Sequence, residues 1–172
     1  MSDAKIMIAL RVIHIICGVF WAGTVMAVAW FLLPASQAIG QPGAAFMQQL
    51  MFRQRLRAFV SGAMILTILS GLTMYGWMAM EAGGWAKSRM AMTLGIGAVA
   101  AIIAGGIGGG VIGSVGKKMM ALGGEIQASG GPPTEAQKAE MDSYQRKMRN
   151  WFQTVAVLVL IATIAMASAR YL

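Results

Sequence analysis

Four long apolar runs organise the chain, at residues 12–33, about 58–80, about 90–115 and 151–169. Each is close to the ~20 residues that carry an α-helix across ~30 Å of hydrocarbon. The runs are continuous rather than alternating, which argues against a transmembrane barrel. The pattern predicts an all-α fold, an integral-membrane up-down four-helix bundle with one domain over residues 1–172.

The connections differ in kind. Gly83-Gly84 marks a short link between the second and third helices. Residues 35–57 form a longer one, broken at Gly40-Gln41-Pro42-Gly43, and residues 116–150 form the longest, broken at Gly130-Gly131-Pro132-Pro133. Thr134 then opens T-E-A-Q, a capping-box pattern with Gln137 at the third helical position. A helix from there to Ala169 is ~54 Å long and overshoots the hydrocarbon by ~24 Å. The last helix is therefore expected to project past the membrane, with its neighbours extending on the same side.

Composition supports lipid as the surroundings. Hydrophobic residues make up 58% of the chain and charged ones 12%, against about 45–50% and about 25% in soluble domains. The net charge of +8 lies between apolar runs, which points to a membrane surface and not to nucleic acid. One end of the bundle holds nine basic residues, among them Arg53, Arg55, Arg57, Lys117 and Lys118; the other holds five, Lys5, Arg11, Lys87, Arg89 and Arg170. The positive-inside rule puts the nine in the cytoplasm and both termini in the periplasm of a bacterial inner membrane. Trp30 and Trp151 then mark the inner interface, and Trp77 and Trp85 the outer one. Residues 12–33 are too long for a signal-peptide core of about 7–15 residues, so they read as a retained helix. The single cysteine, Cys17, permits no disulfide within the chain.

His14, the only histidine, lies near the outward end of the first helix. Imidazole ligates haem iron or copper, and ionisable groups in membrane helices are candidate functional groups. The plainer alternative is a histidine bonded to a neighbouring helix or to water. Among the 16 methionines, Met74, Met78, Met80, Met90 and Met92 flank the outward link. Their thioethers suit Cu(I), or serve simply as adaptable apolar filling. Gly97, Ala101, Gly105, Gly109 and Gly113 form an i+4 row that lets another helix approach closely. Ser70, Thr73, Thr163 and Ser168 offer hydroxyls for bonds between helices. The collar Y-Q-R-K-M-R before Trp151 suits anionic headgroups or a docked protein. All six acids lie outside the apolar runs, which argues against a carboxylate relay through the bilayer. No Ser-His-Asp, HExxH or CxxC arrangement points to catalysis.

The stretch R-V-I-H-I-I-C-G-V-F-W-A-G, with L/I-H-I followed by W-x-G, resembles the first membrane helix of the bacterial copper-resistance protein D family. The segments G-G-P-P-T-E-A-Q and I-A-T-I-A-M-A-S-A-R-Y-L look like those of related small four-helix inner-membrane proteins. The wider set is similar to four-helix membrane cytochromes b and to a haem-carrying membrane protoporphyrinogen oxidase. The resemblance implies an inner-membrane bundle working near copper or haem. It carries over His14, with Trp21 and Gly23 as companions. Cytochromes b bring several histidines, and the oxidase pairs its histidine with a lysine in a later helix; this chain has one histidine and no lysine inside a later apolar run.

These readings converge on a membrane protein associated with haem or electron transfer, with no catalytic residue assigned. His14 would be an axial ligand of haem b, paired with methionine or with His14 of a second copy. The alternatives are a copper-handling protein using His14 and the outward methionines, or a structural subunit without a cofactor. The expected partners are the lipid bilayer and either further copies of the chain or a larger membrane complex.

Overall fold

The computed structural model describes residues 3–81 and 87–172. Gly83-Gly84 and Trp85 lie outside them. Among the described residues there is no strand. Four helices are long and apolar enough to cross a membrane: α1 (Asp3–Ala38), α3 (Leu56–Glu81), α4 (Arg89–Ala128) and α5 (Glu135–Tyr171). A short helix, α2 (Gln41–Gln48), lies between the first two.

The long helices outrun the apolar stretches that announce them. Polar residues beyond each run are still adequate helix formers, so the helix stops only at a real breaker. The first of these is Gly40, whose φ of +64° is open to glycine without strain. Pro34 does not end α1. The turn before it, Val28–Leu32, widens to a π-helix, which accommodates a residue that lacks an N–H and crowds the preceding turn. Gly130, also at φ +64°, ends α4.

The capping box at the start of α5 forms in full. The Gln137 amide donates to Thr134 Oγ1 at 3.2 Å, and the Thr134 amide donates to Gln137 Oε1 at 3.0 Å. Replacing Thr134 with Ala removes one acceptor from an exposed helix start and is expected to cost about 1 kcal/mol. Faster amide exchange confined to residues 134–138 would check this.

Packing is close and uses small residues. Along α1 and α3, Gly18 faces Thr67, and Ala22 and Ala63 are both buried. Along α4 and α5, Gly97 faces Ala165 and Gly116 faces Met148. In both pairs one number rises as the other falls, so the partners are antiparallel. The pairs meet at Ala29, Ala104 and Ala156, all fully buried. Large apolar side chains point outward instead: Val19 is 69% exposed, Phe31 68% and Phe59 65%. In water this arrangement would be costly. In lipid no hydrophobic force drives helices together, and small residues that bring backbones close do so instead. The architecture fits a multi-pass membrane protein.

The hydroxyls mostly stay on their own helices. Thr73, Thr163 and Ser168 donate to the carbonyls of Leu69, Val159 and Ile164, one turn back. Such back-bonding satisfies a hydroxyl in an apolar setting without a neighbouring helix. Among these four residues only Ser70 also reaches another helix, approaching His14 Nδ1 at 3.3 Å.

Candidate functional site

His14 is half-buried where α1 crosses α3. Its Nδ1 lies 2.8 Å from the carbonyl oxygen of Thr67. A carbonyl only accepts, so Nδ1 carries the proton. Ser70 Oγ already donates to Leu66 O at 2.6 Å, which leaves its lone pairs toward the same N–H. Gly71 makes the seat. A Cβ there would stand 2.7 Å from His14 Cε1 and 3.1 Å from Nδ1. The ring thus rests against the backbone of α3.

In the neutral ring this tautomer leaves the lone pair on Nε2. That nitrogen makes no hydrogen bond, and no buried side-chain nitrogen or oxygen among the described residues lacks a partner. Nε2 is therefore not fully enclosed by the described residues. Trp77 follows Gly71 by six residues, so the ring sits ~9 Å below it along α3. A ligating imidazole is commonly held in this way, with its other N–H donated to a backbone carbonyl.

The companions of His14 part from it. Trp21 is buried at 4% exposure in the central core. Gly23 is exposed, and a Cβ on it would meet nothing within 4 Å. Met74 and Met78 are half-buried and share the face of α3 that carries Thr67 and Gly71. Met90 is half-buried, whereas Met80 is 83% and Met92 62% exposed. No group of three or more His, Cys, Asp or Glu side chains among the described residues could hold a metal.

The glycine row divides among several neighbours. A Cβ on Gly97 would lie 3.1 Å from Ala165 Cβ on α5, and one on Gly105 would lie 3.1 Å from Ile68 Cδ1 on α3. Ala101 packs half-buried against the central core. A Cβ on Gly109 would meet nothing within 4 Å, and one on Gly113 would lie 3.4 Å from Arg57 Nη2. The parting between Gly97 and Gly105 comes from the ~40° drift of an i+4 row at each step, and a π-helical stretch at Ile107–Ile112 then adds to it. An extra residue per turn rotates everything after it out of the i+4 register.

That rotation coincides with a large cavity of about 1080 Å³ in the half of the bundle opposite His14. Its inner end is apolar, with Trp21, Val25, Ala104 and Val155; its outer end carries Gln37, Gln127 and Gln145. Seven methionines line it, Met64 inside and Met47, Met51, Met119, Met120, Met141 and Met148 nearer the mouth. They come from four helices, α2 to α5, and the connection between α2 and α3, so no local pattern could have announced them. The π turns of α1 and α4, which no local pattern announces, border this space.

Comparison with known family models, curated proteins and solved structures gives no match.

Proposed function

We propose that the chain is a multi-pass protein of a bacterial inner membrane that uses His14 as an axial ligand of haem b. Its nine-cation end would lie in the cytoplasm and both termini in the periplasm. One observation carries this reading: the Nδ1–H of His14 is fixed on Thr67 O at 2.8 Å, and Nε2 is left unpaired and not fully enclosed among the described residues. An unpaired ring nitrogen at hydrocarbon depth is costly unless something bonds it. Nε2 is the atom that would hold the haem iron. The second axial ligand, from a methionine or from His14 of another copy, would then come from a homo-oligomer or from a larger membrane complex. Bound there, the haem would supply one-electron chemistry. The chain's part is to hold and orient one ligand.

The test is an absorption spectrum with metal analysis on gently solubilised protein. The expected result is a Soret band lost entirely in His14→Ala. His14→Asn keeps a donor for Thr67 O but no iron ligand, so it should lose the band while retaining the melting temperature. Colourless protein with stoichiometric copper would replace haem by copper at His14. Colourless, metal-free protein that co-purifies with fixed partners would leave a structural subunit and overturn both.

A further inference from the structure

We infer that the large cavity at the nine-cation end binds one amphiphile with an anionic head, the head against Arg57 and the tail reaching in toward Trp21. This site lies at the other end of the bundle from His14 and does not depend on a haem there.

The lining is graded in the way an amphiphile requires. Arg57 enters the cavity wall with its Nη2 over Gly113, where a Cβ would lie 3.4 Å away. It has no carboxylate partner: the single ion pair among the described residues joins Lys138 to Glu135. The acid that also lines the cavity is Asp142. Taking Gly116 opposite Met148 as the register, Asp142 stands ~14 Å farther out along the axis than Arg57. It is too far to neutralise the guanidinium. From Gly113, at the level of Arg57, down to Ala104 on the cavity floor is nine residues, or ~14 Å. That depth is walled by Val28, Val60, Met64, Ile112, Phe152 and Val155.

Backbone geometry reinforces the assignment. The π turns of α1 (Val28–Leu32) and α4 (Ile107–Ile112) both border the cavity. Interruptions of this kind recur at functional sites. The volume of about 1080 Å³ stands near the upper end of ligand pockets, roughly 300–1,000 Å³. An unpaired guanidinium above an apolar shaft selects a carboxylate or phosphate joined to a hydrocarbon chain. Flexible methionines around the mouth tolerate more than one chain shape.

The test uses the full chain in neutral detergent, titrated with tail-brominated lipids that quench tryptophan. Oleate presents a carboxylate head, phosphatidylglycerol a phosphate diester and phosphatidylcholine no net charge. The two anionic probes, or one of them, should quench the emission that Trp21→Phe removes. Binding by oleate alone assigns a free fatty acid; binding by phosphatidylglycerol assigns a membrane lipid. Arg57→Gln should weaken the anionic probe about tenfold or more and leave the neutral one unchanged. Arg53→Gln, on an exposed residue outside the lining, should change neither. Gly109→Phe, placed in open space, should block every probe while the protein keeps its helicity. Equal binding of neutral and anionic probes, equal effects of Arg53→Gln and Arg57→Gln, or no quenching of Trp21 would each overturn the assignment. So would exclusion of all probes by a dimer that admits them only when diluted to monomer.

Discussion

Gly43→Ala is expected to undock α2 from the end of α1. Gly43 is buried against the turn that α1 makes into α2, and a Cβ on it would collide with the Ser36 carbonyl. Both sides of that contact are backbone, so no rotamer change relieves it. The chain yields by releasing the short helix, because the loss cannot exceed the free energy holding α2 in place. If docking is worth ~1.4 kcal/mol or more, protease cleavage within residues 36–55 should rise about tenfold or more. The rest of the bundle should melt nearly as before. Gly62→Ala is the matched control: it lies exposed within α3 and meets nothing within 4 Å. Wild-type cleavage in Gly43→Ala would show that α2 is not held through this contact. Because Ala44, Met47 and Gln48 line the cavity, the same variant should also weaken the lipid probes.

Gly97→Leu is expected to force α4 and α5 apart and to lower the stability of the whole bundle. A Cβ alone would stand 3.1 Å from Ala165 Cβ, 3.1 Å from Met166 Cε and 3.3 Å from the Ala162 carbonyl oxygen. Met166 can swing away, but Ala165 and the carbonyl cannot. A leucine adds three further carbons in the same place. Overpacking of this kind costs about 1–3 kcal/mol and sometimes more, and here it falls on a contact between two of the four long helices. Gly106→Leu, on the same helix but with open space around it, should change stability by less than ~0.5 kcal/mol. Unfolding in a graded mixture of mild and denaturing detergent would compare them. Equal midpoints for the two variants would show that Gly97 is not at a tight interface.

Much of this molecule is legible from local pattern. The apolar runs predict four helices long enough to span a membrane, since that signal is carried by consecutive residues. T-E-A-Q predicts the start of α5, because a capping box is complete within four residues. Gly40 and Gly130 mark breaks that coincide with positive φ. Other features escape a local reading. The α1–α3 seam joins His14, Gly18 and Ala22 to Gly71, Thr67 and Ala63, yet neither half announces the other. The i+4 row from Gly97 to Gly113 looks continuous in sequence and is divided in space.

His14 shows where the boundary falls. Sequence alone singled out the residue, because a lone imidazole in an apolar run is conspicuous. Only the packing of α3 decided its tautomer, through the Thr67 carbonyl, and which nitrogen stays free. Arg57 shows the reverse case. In sequence it is one of several cations at a helix end; in space it stands unpaired over Gly113 in the wall of a cavity. Hydrophobic runs and caps act over a few residues, so the sequence by itself determined the number of long helices, their apolar faces and several of their ends. The register of one helix against another depends on where an extra residue enters a turn and on which small residues meet across a seam. Those are contacts between distant parts of the chain, and only the tertiary structure decided them.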